Sequence, residues 1–156
     1  MEIEVKINLN ETEVKRLISI LGEPQFFEQE NIIYKTRSGF LRIRSEKDKI
    51  ILTLKGKNEK SEFNKREEIE FQPNSDKKSL IKFCSILGLN KTLSYKKQRA
   101  DYHFKNCTIS IDLLPDNKKF LEIEGSELNI KNCLSILKLE DKELEHRSYL
   151  EILNEE

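Results

Sequence analysis

The sequence is poor in the residues that break or cross-link a chain: its 156 residues include five glycines, three prolines and three cysteines, and no tryptophan. So little glycine and proline argues against a disordered or low-complexity chain. Cys84, Cys107 and Cys133 are widely spaced among apolar residues, which indicates reduced thiols rather than a disulfide framework. His103 and Cys107 lack the further Cys or His partners that a structural zinc site needs.

The sequence also lacks a net charge and a long apolar run. Its 28 Lys and Arg balance 28 Asp and Glu, so no bulk positive field predicts nucleic acid as a partner. No apolar run approaches membrane-spanning length, and no basic-then-hydrophobic leader is present, so no membrane partner is expected. We therefore expect a soluble, cytoplasmic protein with a single domain over 1–156, as a monomer or a homodimer.

The spacing of apolar residues predicts a mixed α+β fold. Alternation with a period of two predicts strands at 2–9, 26–35, 39–46, 49–55, 63–72, 92–104, 107–114 and 118–125. Helices are expected at about 11–21, from Ser75 or Asp76 to Gly88, at 127–138 and at 141–153. The predicted apolar face of the second helix comprises Leu80, Ile81, Phe83, Cys84 and Leu87.

Nearly every predicted strand carries charged residues on one face and aliphatic residues on the other. The clearest cases are Glu2-Ile3-Glu4-Val5-Lys6 near the start and Phe120-Leu121-Glu122-Ile123-Glu124 near the end. One interpretation is an antiparallel sheet with one face in water. The recurrence of Arg-x-Arg, Lys-x-Arg and Glu-x-Glu pairs instead favours a curved or closed sheet, with helices on its aliphatic outer face and ions inside.

An ionic interior predicts a charged ligand, because buried ions are costly unless they have partners. Paired carboxylates favour a hard divalent cation such as Mg²⁺ or Mn²⁺. Lysine and paired arginines favour phosphate oxygens. A metal-bound polyphosphate, and a triphosphate in particular, would satisfy both sets of side chains.

The order of these motifs resembles the CYTH superfamily, the triphosphate tunnel metalloenzymes, which includes class IV adenylyl cyclases, thiamine triphosphatases and inorganic triphosphatases. The resemblance begins with the ExExK motif at Glu2–Lys6 and covers essentially the whole chain. The later motifs lie at 41–44, 52–56, 66–70, 97–99, Asp112, 120–124 and 148–150. The resemblance implies an α+β fold in which an eight-stranded antiparallel β-barrel forms a triphosphate tunnel, with helices packed on the outside.

The resemblance also implies roles for individual residues. The residues expected to bind phosphate are Lys6, Arg42, Arg44, Lys55, Arg66, Lys97 and Arg99. The residues expected to bind or support Mg²⁺ or Mn²⁺ are Glu2, Glu4, Glu68, Glu70, Asp112, Glu122 and Glu124. Catalytic roles fall to Glu4, Lys6, Lys55 and Tyr34, although a packing role for Tyr34 is an equal alternative. The Tyr34-Lys35-Thr36 segment departs from the family pattern, since it lacks an Asp and leads to Gly39 by a short connection.

These roles predict a metal-dependent hydrolase of inorganic triphosphate or of an organic triphosphate such as thiamine triphosphate or a nucleoside triphosphate. Two alternatives stay open. A class IV adenylyl cyclase would use the same phosphate site to convert ATP to cyclic AMP and pyrophosphate, and a polyphosphate- or nucleotide-binding module would lack turnover. The short 36–40 segment and the absence of a base-binding signature favour hydrolysis.

Overall fold

The computed structural model describes residues 1–154 and has the predicted α+β composition. The strands are β1 (Glu2–Asn8), β2 (Phe27–Thr36), β3 (Gly39–Glu46), β4 (Lys49–Gly56), β5 (Asn64–Arg66), β6 (Glu68–Phe71), β7 (Lys91–Phe104), β8 (Cys107–Leu113) and β9 (Lys119–Glu124). The helices are α1 (Glu11–Leu21), α2 (Lys77–Ile86), α3 (Glu127–Ile136) and α4 (Tyr149–Leu153). The three cysteines are unpaired and buried, as predicted.

All nine strands belong to one antiparallel sheet, in the order β5-β1-β9-β8-β7-β2-β3-β4-β6. Its two edge strands, β5 and β6, are consecutive in the chain and are separated only by Glu67. The predicted single strand at 63–72 is therefore wrong. It divides at Glu67 because its first half pairs with β1 and its second half pairs with β4. The hydrogen-bonded ladder is open at this point, which corrects the predicted closed barrel of eight strands.

Helices α1 and α3 cover the aliphatic face of one half of the sheet. Asn10 and Glu13 form the capping box that begins α1, so this helix starts where its sequence signals predicted. Val14 and Leu17 of α1 pack in one core with Val5 and Ile7 of β1. The core also takes in the apolar residues of β8, β9 and α3. The aliphatic face of this half is consequently closed to water.

Helix α2 alone covers the aliphatic face of the other half. Leu80 and Cys84 are its buried residues, and they pack against apolar residues of β2, β3 and β4. The other three residues of the predicted apolar face, Ile81, Phe83 and Leu87, are exposed. The predicted apolar face of α2 is thus wider than the part of the helix that packs against the sheet.

Helix α4 is shorter than the predicted helix at 141–153 and lies on the opposite face of the sheet. It begins after Ser148, and the preceding residues are not helical because the Glu145 N–H donates to the Lys6 carbonyl at 2.8 Å. Tyr149 and Ile152 form a third apolar cluster with inward-facing residues that include Phe120. No helix within residues 1–154 is long and apolar enough to cross a membrane.

Candidate active site: a charged cavity in the sheet

The charged faces of the strands surround a cavity of about 260 Å³ on the side of the sheet away from α1, α2 and α3. The charged side chains that line it come from β1, β3, β4, β5, β6, β7 and β9. They are Glu2, Glu4, Lys6, Arg42, Arg44, Lys55, Arg66, Glu68, Glu70, Lys97, Arg99, Glu122 and Glu124. Several are almost completely buried, with Lys6 2% and Lys97 3% exposed. The alternative of a water-facing sheet is therefore wrong for these strands.

Carboxylates dominate one part of the cavity, which we call the acidic region: Glu2, Glu4, Glu68 and Glu124. Its central cation is Lys55, whose Nζ donates to both carboxylate oxygens of Glu2 at 3.0 and 2.9 Å and lies 3.0 Å from Glu68. Glu4 and Glu124 are directly opposite each other on paired strands. Lys55 thus contacts two of the four acidic groups, and the other two lie opposite each other.

Three of the four carboxylates in the acidic region have raised pKa values, whereas a hydrogen bond with Glu2 and the charge of Lys55 lower the pKa of Glu68 despite its burial. Burial raises the pKa of Glu4, and the nearby Glu122 raises it further. Burial together with Glu2 and Glu4 raises the pKa of Glu124 to about 7. Burial and a hydrogen bond with Glu68 raise the pKa of Glu2. A bound cation would relieve this repulsion, because a nearby positive charge favours ionised carboxylates.

In the neighbouring part of the cavity wall the charged groups are paired with one another. We call this part the ion-paired region, and its residues are Lys97, Arg99, Asp112, Glu122 and Tyr149. Asp112 is completely buried and accepts from Lys97 Nζ at 2.9 Å, Arg99 Nε at 2.7 Å and the Tyr149 hydroxyl at 2.6 Å. Arg99 also pairs with Glu122. Burial alone would raise the pKa of Asp112, but Arg99 and Lys97 outweigh it and lower that pKa.

Tyr149 joins this region to the phosphate-binding candidates. The Nζ atoms of Lys6 and Lys97 lie 4.5 and 4.4 Å from its ring centroid, which places the ring between two buried ammonium groups. Burial and the adjacent Arg99 lower the pKa of Lys97 to about 7. Both lysines line the cavity, so an anion there would meet two cations held in position by one aromatic ring.

Arg42 and Arg44 supply further donors to the cavity, from alternate positions of β3. Arg44 Nε donates to Asn31 Oδ1 at 2.8 Å, and Arg42 Nη2 donates to Thr53 Oγ1 at 3.2 Å. The Nε of Arg42 is buried without a hydrogen-bond partner. Burial and Arg42 lower the pKa of Arg44 to about 10, which leaves it charged at neutral pH. Two adjacent guanidinium groups with spare donors form an anion site.

The CYTH domain family model matches residues 1–149. The chain belongs to the CYTH family. None of the curated proteins matches its sequence significantly. Among solved structures, it is similar to the PH1012 protein from Pyrococcus horikoshii OT3, with 28% identity over 97% of this chain and 98% of that one, at a TM-score of 0.84.

Two further similar structures come from an archaeon and a plant. The PH1819 protein of Pyrococcus horikoshii OT3 is 26% identical over 99% of both chains, with a TM-score of 0.81. HpAC1 from Hippeastrum, a suggested adenylyl cyclase that reveals a dominant triphosphatase activity, is 21% identical over 99% of this chain and 96% of that one, with a TM-score of 0.75. At that identity the plant protein shows the shared fold only.

Two predicted site residues of this CYTH protein lie outside the cavity lining. Tyr34 is on the opposite face of the sheet, in the core beneath α2 with Leu80 and Cys84, because it shares its parity with Ile32. The structure thus places Tyr34 in a packing position, away from the cavity that its predicted catalytic role would require. Asp112 lies behind the lining, and both of its carboxylate oxygens accept hydrogen bonds from Lys97 or Arg99, so it is not among the side chains that face the cavity.

The structure also reveals a site residue to which the sequence assigned no role. Tyr149 lies within the matched motif at 148–150, yet only the tertiary structure places its ring against Lys6 and Lys97. The available signal was the capping pair of Ser148 and Glu151, which fixes the start of α4 at this residue.

The acidic region fits the divalent metal that the family implies. Within residues 1–154, no three His, Cys, Asp or Glu side chains are grouped closely enough to hold a metal by themselves. Its donors are nevertheless all carboxylate oxygens, and burial together with neighbouring carboxylates raises the pKa values of Glu2, Glu4 and Glu124, so a bound cation would favour their ionised forms. Mg²⁺ typically binds through one or two carboxylates together with substrate phosphates, and this donor set suits that arrangement.

Proposed function

We propose that this CYTH protein is a divalent-metal-dependent triphosphatase that hydrolyses inorganic triphosphate or a small organic triphosphate, such as thiamine triphosphate or a nucleoside triphosphate. The observation that carries the proposal is that one cavity brings together carboxylates whose pKa values are raised, such as that of Glu124, and two adjacent guanidinium groups, of which Arg42 has a buried Nε without a hydrogen-bond partner. A triphosphate with its metal ion carries both missing partners. Its phosphate oxygens suit the arginines and lysines, and the metal suits the carboxylates.

The basic side chains would bind and orient the phosphate chain. Arg42 and Arg44 present adjacent guanidinium groups, and Lys6 and Lys97 present ammonium groups beside Tyr149. These four groups come from three different strands, so they can contact the phosphate chain at several points along its length. In phosphoryl transfer most of the catalysis comes from positioning and from stabilising the charge of the transition state, and fixed cations in a buried site supply both.

The acidic region would hold Mg²⁺ or Mn²⁺ through Glu2, Glu4, Glu68 and Glu124, with Glu122 at its border with the ion-paired region. When bound, the metal would neutralise charge on the phosphate oxygens and lower the pKa of a coordinated water. Lys55 stays within reach of Glu2 and Glu68 and limits the repulsion among these acids before substrate enters. Glu70 lies at the rim, where its carboxylate accepts from Thr53 at 3.0 Å.

The size of the cavity favours hydrolysis over cyclisation. Pockets that enclose drug-sized ligands measure about 300 to 1,000 Å³, whereas this cavity measures about 260 Å³ and its lining is mainly charged. A phosphate chain suits these dimensions better than a whole nucleotide does.

A product assay distinguishes the three candidate functions. The purified protein is incubated with inorganic triphosphate, thiamine triphosphate or ATP in the presence of Mg²⁺ or Mn²⁺. We expect release of inorganic phosphate from at least one substrate and no cyclic AMP from ATP. Cyclic AMP with pyrophosphate and no comparable phosphate release would identify a cyclase, while tight binding of triphosphate without any product would identify a binding module.

Two substitutions test whether this cavity is the site of turnover. Glu4→Gln removes a carboxylate from the acidic region, and Arg44→Ala removes one of the two guanidinium groups of β3; each is expected to lower kcat by about 100-fold or more. Glu28→Gln and Arg37→Ala are matched controls at exposed positions outside the cavity and should leave turnover unchanged. All four variants should still melt cooperatively. Full activity in both cavity variants would contradict the proposed site.

A further inference from the structure

The outer face of the sheet is covered unevenly. Two helices, α1 and α3, pack over the half that contains β1, β8 and β9. The half that contains β2, β3, β4 and β6 has α2 alone, and α2 buries only Leu80 and Cys84. Side chains at the β4 and β6 end of this half, which would need a second covering element, therefore remain in water.

Three apolar side chains of β4 and β6 project into this gap. Leu54 and Ile69 are directly opposite each other on the paired strands, and Phe71 is opposite Leu52, which α2 covers. Ile69 is 60% and Phe71 52% exposed. On both strands the alternate residues, such as Glu68 and Lys55, face the cavity. The exposed residues thus belong to the aliphatic outer face and are not part of the site.

One flank of α2 continues the same apolar surface. Lys77 forms an ion pair with Glu30 of β2, so the flank of α2 that carries Lys77 faces β2. Leu80 and Cys84 are the buried residues of α2, and Phe83 and Leu87 lie on the other side of them from Lys77. They therefore lie toward β4 and β6. Phe83 is 50%, Ile86 76% and Leu87 58% exposed. We call Leu54, Ile69, Phe71, Phe83, Ile86 and Leu87 together the uncovered patch.

We propose that the uncovered patch is the interface of a two-fold symmetric homodimer of this chain. A large apolar side chain carries roughly 150 to 250 Å² of surface, so the exposed fractions of the six residues amount to about 600 Å² of apolar area. A stable interface buries about 800 Å² per partner, of which about 65% is apolar in homodimers. The patch and a polar rim meet that requirement. A monomer rarely leaves so large an apolar patch in water.

A second copy suits this surface better than a different partner does. The six residues of the patch include no charged side chain that could select a partner of complementary charge. A two-fold interface places the same patch on both subunits, so the apolar side chains of one copy would meet the apolar side chains of the other. Each copy would give the other the cover that α1 and α3 give to the first half of the sheet.

Sedimentation velocity of the full chain over a wide concentration range tests the dimer. The wild type should sediment as a dimer, and Phe71→Glu and Ile86→Glu should each weaken association by roughly 10-fold or more, because a charge at the centre of an apolar interface is desolvated. Ile20→Glu is the matched control, since Ile20 is 45% exposed on α1 and lies outside the patch. This control should remain a dimer.

The second variant keeps the test decisive if Phe71→Glu fails to fold. Ile86 is the most exposed of the six residues, so its substitution by Glu leaves the core of the subunit intact, which far-UV circular dichroism verifies. A wild type that is monomeric at every concentration would overturn the proposal. This holds even if the patch of that monomer binds a different protein. A dimer that persists in both patch variants would overturn it as well.

Discussion

The acidic region and the ion-paired region are neighbouring parts of one cavity, yet they treat their carboxylates in opposite ways. In the ion-paired region Asp112 has three donors, and Arg99 and Lys97 lower its pKa despite complete burial. In the acidic region Glu124 faces other carboxylates, and burial and those neighbours raise its pKa to about 7. The same chemical group is thus stabilised as an anion in one place and disfavoured as an anion in the other.

This difference separates a structural role from a binding role. Asp112 holds Lys97, Arg99 and Tyr149 in place, and its charge is already neutralised without a ligand. Glu124 gains a favourable partner only when a cation arrives. A charged group in a cavity therefore indicates a ligand when its own neighbours leave it unpaired, whereas a buried charge with complete pairing indicates a structural role.

The largest expected effect comes from breaking the ion-paired region at its centre. Asp112→Asn leaves Lys97 and Arg99 buried with less compensating charge, and we expect the free energy of unfolding to fall by about 3 to 5 kcal/mol. Urea denaturation measures this change. Asp48→Asn is the control, because Asp48 is exposed in a hairpin at φ 62°, a conformation that Asn adopts readily. Equal stability of the two variants would contradict the structural role of Asp112.

A smaller effect is expected when only one donor to Asp112 is removed. Tyr149→Phe deletes the hydroxyl that donates to Asp112 but keeps the ring between Lys6 and Lys97, so we expect a loss of about 1 to 2 kcal/mol in the free energy of unfolding. Tyr102→Phe is the matched control, since its hydroxyl donates to the Gly22 carbonyl in an exposed setting. A larger loss for Tyr102→Phe than for Tyr149→Phe would argue against the Asp112 network.

The smallest effect is expected in the acidic region and depends on pH. The raised pKa of Glu124 means that the folded protein binds more protons than the unfolded chain between the ordinary value of 4.5 and about 7, so stability falls as pH rises through this range. In metal-free buffer, Glu124→Gln should therefore melt at a higher temperature than the wild type at pH 8 and at nearly the same temperature at pH 5. The gain is modest because solvent screens this partly exposed group.

Melting temperatures of both proteins at the two pH values decide this prediction. Glu140→Gln, at an exposed position outside the cavity, serves as the control and should show no dependence of its effect on pH. A variant that is destabilised at pH 8 would indicate that Glu124 is paired in the folded protein, and the contrast between the two regions would then be wrong.

Most helices and strands could be predicted from the sequence because their signals are local. Helix α1 and strand β3 begin and end at the predicted residues, since a capping pair fixes the first and strict alternation fixes the second. The split at Glu67 could not be predicted in this way. It results from a change of partner between β1 and β4, and β1 is far from both Glu67 and β4 in the sequence.

The candidate site, too, could be predicted from the sequence where local signals specify it. Alternation places Glu4, Lys6 and Arg44 on the inner face, and the structure finds them there. The same alternation also indicated that Tyr34 faces away from the cavity, because Tyr34 shares its parity with the aliphatic Ile32. The position of Tyr149 depends on α4 crossing to the inner face, and no local pattern specifies which face a short terminal helix covers.

The sequence alone therefore determined which side chains face inward, because a period of two is a property of each strand by itself. Tertiary structure decided which of those charges meet. Lys55 reaches Glu2 across 53 positions of sequence, and Tyr149 reaches Asp112 across 37. Electrostatic energies depend on distance and burial rather than on residue type. Only the folded chain could divide one set of similar charges into an ion-paired scaffold and an acidic region that lacks a cation.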